Sequence, residues 1–164
     1  MASPDFFLAI NTLLKHEADF IVVGGVCAVL HGVPITTLDL DIVHKRTDEN
    51  IERVLAALSE LDAHFRFHPK LIEPNQSHLV GPGHSLLETA AGALDVLGTI
   101  DEGKGFDELV AHSQIIFFDG KPLRLLTLEM LIEIKERAGR SKDLVVIPIL
   151  KHTLTIRDNN DGAS

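Results

Sequence analysis

The chain has no tryptophan and no tyrosine, so its eight phenylalanines are its only aromatic residues apart from histidine. Proteins that grip single-stranded nucleic acid usually stack bases on aromatic side chains, and this scarcity disfavours such a platform. The single cysteine, Cys27, cannot form an internal disulfide, so nothing demands an oxidising compartment. No apolar run approaches the roughly 20 residues that span a bilayer, and the N-terminus lacks the basic start of a secretory signal. We therefore expect a cytoplasmic protein without a membrane segment.

Basic residues are scarce in most of the chain. The net charge is −9, yet residues 1–120 carry 7 basic against 18 acidic residues, whereas residues 121–151 carry 7 against 4. The acidic body disfavours broad, unspecific binding of nucleic acid. The basic segment is compatible with a small polyanion held beside a metal, and equally with a solvated helix face.

Repeats, low-complexity tracts and interdomain linkers are also missing, and 164 residues suit a single domain over 1–157 with a disordered tail over 158–164. Apolar spacing predicts an α/β (α+β) protein in which helices flank a mixed β-sheet and helices close the chain. The predicted helices are 5–17, VCAVLH, 48–61, one near 106–111, 127–138 and one from 141 onwards. The predicted strands are FIVVG, LDLDIVH, HFRFHP, and the hairpins HSLLETA/ALDVLGT and SQIIFF/KPLRLL, while PNQSHLVGPGHS is predicted to be a loop.

Three carboxylates lie in predicted strands that are otherwise apolar. Asp39 and Asp41 are two residues apart, so both project from the same strand face. Adjacent like charges repel, and a divalent cation with oxygen ligands offsets that repulsion, although a solvated outer face is the alternative. Asp95 lies in the strand GALDVLG. Because Gly24 and Gly25 end one strand and open a helix, where the backbone can approach a phosphate, the set indicates a site for a metal-bound triphosphate.

The segment FIVVGGVCAVLHGVPITTLDLDIV resembles the signature of the polymerase-β type nucleotidyltransferase superfamily: an apolar strand, two small residues, a short helix, then Asp-x-Asp on a strand. It is most similar to small bacterial nucleotidyltransferase-like proteins related to the toxins of toxin–antitoxin and abortive-infection systems. HSLLETAAGALDVLG and LRLLTLEMLIEIKERAGRSKDLVVIPIL also resemble family segments, so the likeness spans most of residues 18–155.

The resemblance implies an enzyme that transfers a nucleoside monophosphate from a nucleoside triphosphate to a hydroxyl acceptor, which would be a tRNA, a protein or a small molecule. It implies that Asp39 and Asp41 bind two metals, usually Mg²⁺ with Mn²⁺ as a substitute. Asp95 would share one metal and act as the general base. The alternative is a weakly active or non-catalytic nucleotide-binding protein of a toxin–antitoxin-like system. A second copy of the chain, in a homodimer, or an antitoxin is the expected protein partner.

The same resemblance places Gly24 and Gly25 against the triphosphate. Relatives often carry Arg where this chain has Ile35, and many active relatives carry Ser where it has Gly25. Thr36 or Thr37 would supply a hydroxyl to the nucleotide instead, or would serve only the turn.

Lys135 extends the apolar stripe of its predicted helix, following Leu128, Leu131 and Ile132 at helical spacing. Asp143 shares a face with apolar residues of the next helix, so each charged side chain needs a partner. A structural Lys135–Asp143 salt bridge is one interpretation. The other is catalytic, with Lys135 reaching the phosphates together with the nucleotide-binding candidates Arg140 and Lys142.

Overall fold

The computed structural model describes residues 3–162. Within that range the chain forms a seven-stranded mixed sheet with seven α-helices, and a 3-10 turn follows the fifth helix. The helices are α1 (Phe6–Lys15), α2 (Gly24–Leu30), α3 (Asp48–Glu60), α4 (Gln76–Leu79), α5 (Phe106–Leu109), α6 (Leu128–Ala138) and α7 (Ser141–Gly162). The strands are β1 (Phe20–Val23), β2 (Asp39–His44), β3 (His64–Phe65), β4 (His84–Thr89), β5 (Gly92–Leu97), β6 (Ser113–Phe118) and β7 (Lys121–Leu126).

The sheet runs in the order β3-β4-β5-β2-β1-β7-β6. The two central strands β2 and β5 are parallel, and β2 is antiparallel to β1. The hairpins β4/β5 and β6/β7 carry the sheet outward on either side. The mixed sheet flanked by helices that the sequence predicts is therefore confirmed.

The acidic strand β2 is held in place by its alternate side chains. Leu40 and Ile42 are fully buried in the core, together with the apolar face of α3 around Ile51 and Val54. Burying side chains of this size stabilises each position by about 1.5–3 kcal/mol. The intervening residues Asp39 and Asp41 must therefore lie on the opposite strand face.

The structure departs from the sequence-based expectations at three places. The segment HFRFHP forms only the two-residue strand β3, and the predicted loop PNQSHLVGPGHS contains the short helix α4, capped by the side chain of Asn75. The expected disordered tail differs most: α7 continues to Gly162, and residues 163–164 lie outside the described residues. Arg157 contacts Glu129 of α6 at 2.9 Å, which fastens this end of α7 to its neighbour.

Within the described part of the chain, no helix combines the length and the apolar character needed to cross a bilayer.

Candidate active site

Two of the three predicted carboxylates lie side by side on the central strands. Asp41 of β2 is in register with Asp95 of β5, and Leu86 of β4 is in register with Asp95 on the far side. Residues in register on neighbouring strands project from the same sheet face. Asp39, two residues before Asp41, shares that face, so the three carboxylates converge on one cleft of about 1010 Å³.

The Gly24–Gly25 pair borders this cleft directly beside the carboxylates. Gly24 has φ +68°, a left-handed conformation that glycine adopts without strain, and a methyl group there would collide with the Asp41 carboxylate. A methyl group on Gly25 would collide with the Thr37 hydroxyl. The packing of the apoprotein by itself therefore requires small residues at both positions.

Burial and like charge act together on Asp41. Burial is the largest cause that raises the pKa of this carboxyl to about 7, followed by the charge of Asp95, a hydrogen bond shared with Asp95 and the charge of Asp39. Arg66 partly opposes the shift. Near neutral pH the Asp41 carboxyl is thus divided between its neutral and charged forms, which marks a position where positive charge would be strongly favoured.

Arg66 is a site residue that sequence reasoning missed. Its Nη2 donates to Asp95 Oδ1 at 2.8 Å, and both side chains are about 85% buried, with exposed fractions of 15% and 14%. Its Nη1 donates to the carbonyl of Leu87 at 2.6 Å. The only signal in the sequence is an arginine inside the apolar, strand-like segment HFRFHP, which would itself need a partner.

Lys135 and Asp143 meet at the wall of the cleft formed by α6 and α7. Lys135 Nζ lies 3.2 Å from Asp143 Oδ1, and Arg140 Nε lies 2.7 Å from Asp143 Oδ2. Asp143 is fully buried, and burial, which alone would raise its pKa, is outweighed by the hydrogen bonds from Arg140 and Lys135, so its pKa is lowered. The paired cations leave this wall with one positive charge more than the buried carboxylate neutralises.

The fold matches solved structures over nearly the whole chain. A lincosamide antibiotic adenylyltransferase, LnuA, aligns with TM-score 0.62 and 13% identity over 92% of this chain and 98% of its own. A candidate nucleotidyltransferase from Thermotoga maritima aligns with TM-score 0.57 and 16% identity over 90% and 93%, and the antibiotic-resistance factor ANT(2'')-Ia with 0.57 and 14% over 91% and 84%. The chain has the polymerase-β type nucleotidyltransferase fold. Neither a protein-family model nor a curated protein matches the sequence.

Within this nucleotidyltransferase fold, the other predicted residues also line the cleft: Thr36, Thr37, Arg140 and Lys142. The Thr37 hydroxyl donates to the carbonyl of Asp39 at 3.3 Å, which is the turn role that the sequence left open for it. Ile35, the apolar residue at the position where the resemblance implies a cation, lines the same cleft.

A loop after β5 lines one side of the cleft. Asp101 receives hydrogen bonds from Arg137 of α6 at 3.0 and 2.5 Å, and Lys104 of the same loop lies 2.8 Å from it. The hydrogen bond from Arg137 is the main cause that lowers the pKa of Asp101 to about 2. This contact joins the end of the sheet to the helical wall.

The donor chemistry of the site fits a hard cation on two of its carboxylates. Asp39 and Asp41 offer the carboxylate oxygens that Mg²⁺ prefers, and the raised pKa of Asp41 reports charge repulsion that a cation would relieve. Among residues 3–162, however, no three His, Cys, Asp or Glu side chains are arranged to hold one ion together. Asp95 instead contacts Arg66, so the three-carboxylate, two-metal site that the resemblance implies stays a prediction.

Proposed function

We propose that the protein transfers a nucleoside monophosphate from a nucleoside triphosphate to a hydroxyl acceptor. The observation that carries the proposal is the register of Asp41 with Asp95 on parallel neighbouring strands, beside Gly24, in a cleft that the cationic residues of α6 and α7 also line. The cleft therefore offers acidic oxygens for a cation and positive side chains for a polyanion, which suits a nucleoside triphosphate that binds together with a metal ion.

Asp39 and Asp41 would hold a divalent cation, and the chemistry that it supplies is neutralisation of the phosphate charge during an in-line displacement. Asp95 acts as the general base. Its carboxylate, whose Oδ1 accepts from Arg66, takes the proton from the acceptor hydroxyl. The acceptor oxygen bonds to the α-phosphorus as the bond to the β-phosphate breaks, and pyrophosphate leaves.

The helical wall binds the phosphates. Lys135 and Arg140 share the single buried carboxylate of Asp143, so their combined charge exceeds that of their partner, and Lys142 adds an exposed ammonium at the same wall. Arginine and lysine donors of this kind stabilise phosphate oxygens by charge-assisted hydrogen bonds. Lys135 would thus serve both the packing of α6 on α7 and the nucleotide.

A small molecule carrying a hydroxyl is the first acceptor class to test. LnuA is an antibiotic adenylyltransferase whose structure contains lincomycin, and its fold covers this chain nearly end to end. The low aromatic content gives RNA acceptors less support, because stacking platforms are scarce.

A second function, nucleotide binding without turnover, is favoured by Ile35. This apolar side chain lines the cleft beside the glycines, where a cation would otherwise assist the triphosphate. On this hypothesis the protein binds nucleotide and releases no pyrophosphate, and its role is exerted through a partner.

Pyrophosphate release separates the two functions. The full chain is incubated with labelled ATP, CTP, GTP or UTP, Mg²⁺ and a panel of hydroxyl acceptors. We expect release with at least one nucleotide, reduced about 100-fold or more in Asp95→Asn, since general-base catalysis contributes about 10²–10⁴-fold. Asp107→Asn, an exposed isosteric change outside the cleft, is the matched control. Nucleotide binding with no pyrophosphate from any combination would contradict transfer and support the binding function.

A further inference from the structure

Arg66 lies in the same row of the sheet as the catalytic carboxylates, two strands away from Asp95. Its backbone N–H donates to the carbonyl of Leu86 at 2.9 Å, which continues the β3/β4 pairing by one residue. Leu86 is in register with Asp95, and Asp95 with Asp41. The row Arg66, Leu86, Asp95, Asp41 therefore projects from one sheet face.

The arginine side chain crosses an entire strand to reach its partner. Two strand spacings of about 4.8 Å separate the backbones of Arg66 and Asp95 by about 10 Å, and the guanidinium passes over Leu86 to close that gap. The head group is then held on three sides: by Asp95 Oδ1 at 2.8 Å, by the carbonyl of Leu87 at 2.6 Å and by the Phe67 ring, whose centroid is 5.5 Å from Cζ. A cation fixed in this way is part of the site rather than a surface charge.

The guanidinium also supplies positive charge where a metal would otherwise be needed. It contacts, at 2.8 Å, the carboxylate that the resemblance assigns to a shared metal. Correspondingly, no three-carboxylate group is arranged for one ion within residues 3–162.

We propose that Arg66 is a positioning residue that takes the place of a metal at Asp95, so that the protein itself binds a single divalent cation, on Asp39 and Asp41. Arg66 orients the Asp95 carboxylate by occupying its Oδ1. The general-base role of Asp95 rests on the proposed function, whereas the number of cation sites does not, because it is measured without nucleotide.

The test measures Mn²⁺ binding to the full chain without nucleotide, and the electron paramagnetic resonance signal of the unbound ion gives the amount that has bound. The wild type should bind one Mn²⁺ per chain. Arg66→Met removes the guanidinium and frees a carboxylate, so Mn²⁺ should bind at least about tenfold more tightly or at a second site. Arg66→Lys keeps the positive charge and should resemble the wild type, and the double variant Arg66→Met/Asp95→Asn should lose the gain.

Thermal melting with a chelator and with Mn²⁺ covers the case in which Arg66→Met is unstable. An Arg66→Met protein that folds only when Mn²⁺ is added would support the proposal, because the ion then replaces the guanidinium. A variant that stays unfolded with Mn²⁺ would overturn it, since charge replacement would not suffice. Two Mn²⁺ per wild-type chain, or unchanged Mn²⁺ affinity in folded Arg66→Met, would also overturn it. A failed pyrophosphate assay would leave this result standing.

Discussion

Replacing Asp41 by asparagine should stabilise the protein in the absence of metal, and increasingly so as the pH rises. The folded state raises the pKa of this carboxyl from 3.8 to about 7, chiefly by burial and then by the charge of Asp95. The folded state therefore holds a proton that the unfolded state has lost. Stability from this group is complete below about pH 4 and is lost as the pH rises to about 7. Asparagine keeps the shape without the charge and avoids that loss.

The magnitude follows from the part of the shift that lies within a practical pH range. Between about pH 5 and about pH 7 the folded carboxyl keeps a proton that the unfolded chain has released, and each pKa unit corresponds to about 1.4 kcal/mol, so the advantage of Asp41→Asn should grow by up to about 2–3 kcal/mol. His44, whose pKa is lowered mainly by burial, takes up a proton more readily in the unfolded chain and so has the opposite effect on the pH dependence of stability. Because both proteins contain His44, its contribution cancels in the difference.

Urea denaturation at about pH 5 and about pH 8, in buffer with a chelator, measures this difference. Asp39→Asn is the matched control, because the Asp39 side chain is exposed on the same strand and its charge is the smallest of the causes that raise the pKa of Asp41, so its replacement should change stability much less at the higher pH. A constant difference between Asp41→Asn and the wild type, or a loss of stability at the higher pH, would refute the reasoning. It would show that the Asp41 carboxylate is held by favourable hydrogen bonds rather than repelled by its neighbours.

Three other changes test the wall and the floor of the cleft. Lys135→Met should weaken triphosphate binding and should lower the free energy of unfolding by about 1–3 kcal/mol in urea denaturation. This loss is smaller than that of a whole buried ion pair, because Asp143 keeps its contact with Arg140. Unchanged stability and affinity would contradict both roles of Lys135. Gly24→Ala and its control Gly120→Ala should each cost about 1–2 kcal/mol, because both glycines have a left-handed backbone. Only Gly24→Ala should weaken Mn²⁺ binding, because the added methyl group meets the Asp41 carboxylate, whereas Gly120 has open space around it. Equal Mn²⁺ affinities of the two variants would show that the carboxylate beside Gly24 tolerates displacement. Arg137→Ala should increase proteolytic cleavage between residues 99 and 104 at unchanged melting temperature, because Asp101 loses its contact with α6. An unchanged digestion pattern would mean that the backbone of the loop holds it in place without this contact.

Much of the architecture is legible in the sequence because it depends on local periodicity. Helical spacing of apolar residues predicts α1, α3 and α6, and alternation around Asp39 and Asp41 predicts β2 and the shared face of its carboxylates, all of which the structure confirms. The hairpins β4/β5 and β6/β7 follow from apolar runs separated by glycine-containing turns. Weakly periodic segments were less predictable: α4 and the end of α7 form because capping by Asn75 and the Arg157–Glu129 contact outweigh poor local signals.

The candidate site divides along the same boundary. The sequence indicates the three carboxylates and the Lys135–Asp143 pair, because a charged residue within an apolar pattern requires a partner. It indicates the glycine pair because the two glycines lie where a strand ends and a helix begins. The prediction that these carboxylates bind two metals comes from the resemblance, and no local pattern of the sequence indicates the number of metals.

Tertiary structure alone decided which residues meet across the sheet. Strand order and register place Asp95 beside Asp41, and they carry Arg66 over Leu86 to the Asp95 carboxylate, although 29 residues separate the two along the chain. Local sequence determines which face of a strand a side chain occupies, because side chains alternate along the strand. It does not determine which strand lies next to it, because strand pairing depends on the packing of the whole core.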